Sequence, residues 1–281
     1  MGTADLVPGV SGGTIALVLG IYERLVRSIK EGSSALGAII KGDLGTFKDR
    51  LRNVEWLFLL PLLAGILLAV ILLSNFLEHQ LEERPILLAS VFFGLVVASI
   101  AIAWRLVRVP RQSHAWVSLA IASAVFLLLG AAEGRVTADP AAIAFFGAGA
   151  LAICAMILPG ISGSLILVMV GMYGSVLSAV TSRSFTDLAV FALGAIVGLA
   201  IFSQILNWAL QHHHDVVLAA LIGLMGGSTR VLWPWPGGVE TPVIAAPGPE
   251  WPAALIGAGL GALVVYLVSR MAPENGDSAR S

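Results

Sequence analysis

Long apolar runs constrain the fold of this chain more than any other feature. Six runs are each close to the roughly 20 residues that a helix needs to cross a bilayer. They cover residues 56–77, 86–107, 115–132, 188–210, 216–233 and 251–269. Hydrophobic residues make up 58% of the chain and charged residues only 12%, whereas soluble domains carry about 25% charged residues. The sequence therefore excludes a soluble or disordered protein and predicts an all-α, polytopic protein of the cell membrane.

Charge and cysteine usage exclude further classes. The net charge of −1 provides no strong field that would attract nucleic acid, so no nucleic-acid partner is expected. The single cysteine, Cys154, rules out an internal disulfide and a metal site built from cysteines. Three consecutive histidines, 212–214, do not share one helix face, which argues against a metal site there. We expect neither a metal nor a cofactor.

Two other apolar stretches are each interrupted by nearly the same hexapeptide. P-G-V-S-G-G, residues 8–13, interrupts the stretch 6–22, and P-G-I-S-G-S, residues 159–164, interrupts 141–177. Residues 4–22 align without gaps on 155–173, and eight of the 19 positions are identical. A second register, at an offset of 129, pairs further residues, among them Gly65 with Gly194 and Gly94 with Gly223. These matches indicate an internal duplication.

The distribution of Lys and Arg predicts the topology, because cytoplasmic loops collect these residues. Loops 23–55 and 105–114 and the C-terminal tail together hold 12 of them, and are placed inside. The four loops placed outside hold three; they are 78–85, 133–140, 181–187 and 234–250. This assignment requires each motif to enter and leave the membrane on the same side. The two repeats then have opposite orientations in the membrane, and are therefore inverted. Inverted repeats with broken helices are typical of secondary transporters.

The predicted organisation has four parts. Residues 1–110 form the first inverted repeat, with a re-entrant hairpin at 4–22, a cytoplasmic loop at 23–55 and two transmembrane helices. Residues 111–140 form a connecting transmembrane helix and outer loop, and residues 141–235 form the second repeat, with a re-entrant hairpin at 141–177 and two transmembrane helices. Residues 236–281 form an outer loop, the last transmembrane helix and a disordered tail. An apolar arm, 141–158, precedes only the second motif. Either the first hairpin is truncated or the true start lies upstream of Met1.

The repeated motif has a defined physical consequence. Proline removes a backbone donor and glycine permits sharp turns, so P-G-x-S-G breaks a helix, and its serine caps the next one. The unpaired N–H groups at that helix start favour an anion. Two such starts approaching from opposite sides would form an anion site near the membrane midplane. The candidate ligands are the N–H groups of Gly12, Gly13, Gly163 and Ser164 and the hydroxyls of Ser11, Thr14 and Ser162. The alternative is a pair of tightly packed kinks without a ligand.

The segment 4–22, A-D-L-V-P-G-V-S-G-G-T-I-A-L-V-L-G-I-Y, closely resembles the signature of the polyprenyl-phosphate transporter (PopT) family of bacteria and archaea. The resemblance covers nearly the whole chain. It implies a flippase that returns undecaprenyl phosphate from the outer to the inner leaflet, which recycles the lipid carrier of cell-envelope synthesis. It also implies an apolar segment before the first motif, in agreement with the truncated start inferred above.

Two charged residues remain open to two interpretations each. Asp5 is a possible proton-coupling site if a helix precedes the motif, and otherwise belongs to a solvated terminus. Arg230 is the only arginine within a predicted span, apart from Arg105 at the end of 86–107, which is counted with the loop that follows. It either binds phosphate or extends to the outer interface beside the nearby tryptophans.

Three other functions compete with the flippase. An inorganic-anion channel or exchanger would use the same helix starts, but would open to water rather than to lipid. An enzyme is disfavoured because no histidine lies near either motif, and a scaffold would leave the duplicated breaks unexplained. No Walker motif is present, so we expect transport without ATP. The expected partners are the polyprenyl phosphate, the surrounding membrane lipids and possible further copies of the chain in a homo-oligomer.

Overall fold

The described part of the chain is helical throughout. A computed structural model describes residues 1–5, 10–40, 42–131, 140–239 and 243–271, in which thirteen helices and no strand occur. The helices are α1 (Gly2–Asp5), α2 (Gly12–Val18), α3 (Tyr22–Ile40), α4 (Leu44–Asn53), α5 (Trp56–Glu83), α6 (Pro85–Trp104), α7 (Gln112–Ala131), α8 (Ala142–Ile157), α9 (Gly163–Met169), α10 (Tyr173–Thr181), α11 (Phe185–His212), α12 (His214–Ser228) and α13 (Trp251–Met271). The tail predicted to be disordered, beyond residue 271, lies outside the described residues.

Five helices are long and apolar enough to cross a membrane: α5, α6, α7, α11 and α13. The consecutive helices α9 and α10 meet at an angle of 112° and count as a sixth span if the pair is taken as one. The most apolar part of α5 has no buried residue, as expected for a helix surface that faces lipid. The protein is therefore a multi-pass membrane protein, and the predictions of spans at 56–77, 86–107, 115–132, 188–210 and 251–269 are confirmed to within a few residues.

Two segments differ from the sequence prediction. The span expected at 216–233 is a shorter helix, α12, which ends at Ser228 and is followed by turns. Adjacent glycines at 226 and 227 weaken the helix at this end. The mixed-charge loop expected at 23–55 contains two helices, α3 and α4. Amphipathic α3 packs against both α4 and α11, and the Ser33 and Ser203 hydroxyls hydrogen-bond between α3 and α11 at 3.1 Å.

Glycine lets the principal helix pairs approach closely. The pairs are α6 with α13, α7 with α12, and α8 with α11. A Cβ atom added to Gly94 of α6 would overlap the Ala258 carbonyl of α13, and one added to Gly194 of α11 would overlap the Phe146 carbonyl of α8. Because lipid supplies no hydrophobic force between helices, such small-residue contacts provide the dispersion energy that holds the bundle together. The short helix α2 lies against α6, α8 and α13, which places the first motif inside the bundle.

The α6–α13 contact yields a test of this packing. A Cβ at Gly261 of α13 would overlap the Val91 carbonyl, whereas a Cβ at Gly259 would meet no atom within 4 Å. We expect Gly261→Val to lower the free energy of unfolding by about 1–3 kcal/mol, because α13 must move away from α6. The matched control, Gly259→Val, should lower the free energy of unfolding only a few tenths as much. Size-exclusion profiles of detergent-solubilised protein after graded heating measure both; equal losses would contradict the packing described here.

Candidate functional site

Both motifs start a helix where the sequence predicts one. Ser11 has extended dihedral angles (φ −128°, ψ 140°), and its side chain accepts a hydrogen bond from the Gly13 N–H as the N-cap of α2. Ser162 (φ −99°, ψ 148°) caps α9 in the same way through the Leu165 N–H. The two serine caps are thereby confirmed. Residues 8 and 9 of the first motif lie outside the described residues.

The start of α2 carries a carboxylate of the chain itself. The Gly12 N–H donates to Asp5 Oδ1 at 2.6 Å, where the positive end of the helix favours a negative charge. A Cβ on Gly12 would lie 2.6 Å from the other carboxylate oxygen of Asp5, so only glycine permits this approach. The structure therefore uses a predicted anion-binding N–H group for an internal contact, and it places Asp5 beside the motif.

The two motifs are in direct contact, although 151 residues separate their equivalent positions. The Ser11 hydroxyl donates to the Met156 carbonyl at 3.2 Å. The Thr14 hydroxyl accepts from the Gly160 N–H at 3.1 Å. The Ser11 and Thr14 side chains are both buried, and they satisfy backbone groups at the break of the second motif.

Two further close contacts lie at this junction. The buried Tyr22 hydroxyl donates to the Ile157 carbonyl at 3.3 Å. A Cβ on Gly13 would lie only 2.8 Å from that same carbonyl oxygen, so a larger residue at 13 would push the motifs apart. The sequence interpretation missed the role of Tyr22; the only signal was its place in the repeat, opposite Tyr173.

The second motif also depends on a glycine. Gly160 has φ +86°, a conformation that favours glycine. A Cβ there would lie 2.7 Å from the Met225 Cα and 3.0 Å from the Ser228 hydroxyl. The last turn of α12 therefore packs directly on the break.

The hydroxyls of the second motif are more open than those of the first. Ser162 is half-buried and Ser164 is exposed, and their hydroxyl oxygens are 2.8 Å apart. The repeat-related tyrosines differ in the same sense, since Tyr22 is 1% exposed and Tyr173 is 44% exposed. The described residues of the first motif are thus buried, whereas the second motif presents polar groups to its surroundings.

Arg230 packs on α7. Its guanidinium lies over the Phe126 ring, 4.8 Å from the centroid, and directly against Gly130, where a Cβ would collide with it. Two residues earlier, Ser228 contacts the second motif at Gly160. The arginine is thus close in sequence to the second break, with its side chain half-buried against a neighbouring helix.

A second polar cluster, which sequence analysis did not anticipate, joins three segments at one end of the bundle. His214 Nε2 lies 2.8 Å from Glu23 Oε1, and His214 Nδ1 lies 3.0 Å from Asp215 Oδ1. Asp215 also accepts the Arg108 and Val109 N–H groups at 2.9 and 3.0 Å. The charge pattern assigned two of these segments, 23–55 and 105–114, to the cytoplasmic side, but individual pairings leave no sequence signal.

The long apolar helices, together with the contacts between the regions of the two motifs, define a polytopic membrane protein. A family model described as VCA0040-like, undecaprenyl phosphate translocase-like, matches residues 1–246. The chain belongs to this family, and the resemblance noted in the sequence is confirmed.

Two curated relatives support the assignment. A polyprenyl-phosphate transporter of Vibrio cholerae is 40% identical over 238 residues, which cover 84% of this chain and 75% of the relative. A polyprenyl-phosphate transporter of Staphylococcus aureus is 32% identical over 291 residues, covering 98% and 95% respectively. No solved structure shows significant similarity to the chain.

The contact between Thr14 and Gly160 can be tested with two substitutions. Thr14→Val keeps the shape of the side chain but leaves the buried Gly160 N–H without an acceptor. We expect it to lower the free energy of unfolding by about 1–3 kcal/mol. Thr14→Ser retains the hydroxyl and should recover most of that loss. Thermal unfolding in detergent compares the two; a serine variant as unstable as the valine variant would show that the methyl group, and not the hydrogen bond, matters.

Asp215 predicts a pH-dependent contribution to stability. Burial by itself would raise the pKa of the Asp215 carboxyl, but hydrogen bonds from His214 and from the Arg108 and Val109 N–H groups outweigh it and hold that pKa at about 2, below the ordinary 3.8. Because the folded state lowers the pKa, the carboxylate stabilises the protein above about pH 4, and this contribution is lost as the pH falls towards 2. We expect Asp215→Asn to cost about 1 kcal/mol at pH 7, since the side chain is partly exposed to solvent.

The measurement is thermal unfolding of both proteins between pH 7 and the lowest pH at which they stay soluble. The difference between wild type and Asp215→Asn should shrink as the solution becomes more acidic. Asp49→Asn, which removes an exposed carboxylate of α4, is the control and should show a small difference at every pH. A constant difference for Asp215→Asn would contradict the pKa argument.

Proposed function

We propose that this protein is a transporter that carries polyprenyl phosphate across the cell membrane. The observation that carries the proposal is the contact between two duplicated helix breaks, in a chain whose family and relatives are named for this lipid. A polyprenyl phosphate combines an anionic head with a long apolar tail. A bare phosphate in hydrocarbon is very costly, so a protein that moves it must replace its water with polar groups while the tail stays in the bilayer.

The head group binds beside the second motif in this proposal. Ser11 and Thr14 hold the two motifs together through hydrogen bonds, and Asp5 accepts a hydrogen bond from the Gly12 N–H. The groups that remain accessible are the hydroxyls of Ser162 and Ser164. They lie at the start of α9, whose first N–H groups favour an anion. Gly163 supports this geometry because a Cβ there would press on Met156, 2.9 Å away.

Asp5 regulates access to the first motif in this mechanism. A carboxylate and a phosphate compete for the same Gly12 N–H, and two anions do not share one donor site without strong repulsion. Protonation of Asp5 weakens its bond to Gly12 and allows the phosphate to reach the Gly12 N–H. This exchange would couple head-group movement to a proton, which is the role that the sequence suggests for Asp5.

The transporter is further proposed to be an inverted repeat that works as a flippase without ATP, returning its lipid to the inner leaflet. Helix packing supports the symmetry. Gly94 of α6 abuts the Ala258 carbonyl of α13, and its repeat mate Gly223 of α12 has the Ser118 carbonyl of α7 at 2.5 Å from its ideal Cβ position. The pairing of α6 with α13 and of α12 with α7 supports this proposed symmetry.

Binding of undecaprenyl phosphate to the purified protein tests the proposal. We expect Ser162→Ala/Ser164→Ala to weaken binding at least tenfold, because hydrogen bonds to a charged group contribute about 1.5–3 kcal/mol each. Ser182→Ala removes an exposed hydroxyl directly after α10 and should leave the affinity unchanged. Chloride and inorganic phosphate should compete poorly with the lipid.

Each alternative result has a clear meaning. Lipid binding that survives the double substitution would retain the function but place the head group elsewhere, with Arg230 as the next residue to change. Binding of chloride or phosphate without any binding of lipid would refute the lipid transporter and favour an inorganic-anion channel or exchanger.

A further inference from the structure

A polar cavity of about 400 Å³ lies at the end of the bundle assigned to the cytoplasm, away from the two motifs. One wall is the α6–α7 loop with the start of α7, and the other is the turn between α11 and α12. Two guanidinium groups and four imidazole rings line it: Arg108, Arg111, His114, His212, His213 and His214. Such a concentration of nitrogen groups in one cavity is unusual in a chain with so few charged residues.

The walls of this cavity are held in place by contacts within the protein. Asp215 accepts the N–H groups of Arg108 and Val109, which fixes the α6–α7 loop against the turn. His212 hydrogen-bonds through Nδ1 to the Trp208 carbonyl at 2.9 Å and stacks on the Trp208 ring at 5.1 Å. The cavity is therefore formed before any ligand binds, and a ligand would meet little of the usual entropic cost of ordering its site.

The cavity has an excess of positive charge. Asp215 provides the only carboxylate among the residues that line the cavity. This carboxylate is already hydrogen-bonded to the Arg108 and Val109 N–H groups and to the His214 ring. The Arg108 and Arg111 side chains are exposed, and within the part of the chain that the structure describes neither forms a salt bridge. Their charge is thus available to a ligand.

We infer that this cavity binds a phosphate monoester at the cytoplasmic face, at a site distinct from the helix breaks. A planar guanidinium offers two parallel N–H groups that match two phosphate oxygens, and a pair of arginines matches a doubly charged group. The rings of His114, His212 and His213 offer further donors to the remaining oxygens, whereas both ring nitrogens of His214 already face carboxylates. The phosphate belongs either to the head group of a membrane lipid or to a soluble phosphate ester, and both present the same oxygens to the cavity.

The inference does not depend on the proposed site at the motifs. A head group bound here would sit at the inner membrane surface, where a lipid carrier reaches the cytoplasmic leaflet. The competing explanation is general attraction between cytoplasmic Arg and Lys residues and anionic lipids, which needs no cavity. The experiment must therefore compare equal losses of charge inside and outside the cavity.

The test measures binding of geranyl phosphate and of inorganic phosphate to the full chain in neutral detergent. All variants carry Ser162→Ala/Ser164→Ala, so that binding at the second motif makes no contribution and a failure here is distinct from a failure of the transport proposal. Arg108→Gln/Arg111→Gln removes two charges from the cavity. Arg105→Gln/Lys48→Gln removes two exposed charges from the same face outside the cavity.

We expect the cavity variant to lower the affinity for geranyl phosphate at least tenfold and the control variant to change it less than twofold. Similar binding of inorganic phosphate would identify a soluble phosphate as the source, and selective binding of geranyl phosphate would identify a lipid head group. Equal losses in the two variants, or no binding of either probe before the arginines are changed, would overturn the inference. The single change Arg111→Gln, which leaves the Asp215 contacts intact, replaces the double change if that variant unfolds.

Discussion

The structure depends on one constraint, which is that a backbone group at membrane depth must find a hydrogen-bond partner inside the protein. In the second motif, the proline and the turn at Gly160 leave such groups without a partner in their own helix. The protein solves this by pairing the breaks. The Thr14 hydroxyl accepts the Gly160 N–H, and the Ser11 hydroxyl donates to the Met156 carbonyl. Placement of α2 among α6, α8 and α13 follows from this pairing, because the first motif must reach the second.

The pairing makes the two copies of the motif unequal. Side chains of the first copy are buried and engaged in the junction, whereas Ser162 and Ser164 of the second are accessible. A symmetric pair of helix starts would present two similar anion sites. Here the start of α2 is occupied by Asp5, so the protein contains an internal anion at the place where a phosphate would bind. This arrangement provides a physical reason for linking head-group movement to the protonation of one carboxylate.

Charged and polar side chains organise the end of the bundle where α3, the α6–α7 loop and the α11–α12 turn meet. His214 lies between the Glu23 and Asp215 carboxylates, and Asp215 holds the loop that carries Arg108. The residue that follows Tyr22 is therefore tied to the α11–α12 turn. Tyr22 itself donates to the Ile157 carbonyl beside the second motif, so two adjacent residues, Tyr22 and Glu23, link the motif junction to a wall of the cavity.

The sequence by itself determined the membrane class, five spans, the serine caps of α2 and α9 and the family. These features are local: a bilayer requires about 20 apolar residues for each crossing, and a cap requires one side chain beside its own helix. Tertiary structure alone decided the contact of Thr14 with Gly160, the use of Asp5 as the partner of Gly12 and the position of His214. Those outcomes depend on which distant groups remain unpaired after the helices pack, and hydropathy and spacing along the chain do not carry that information.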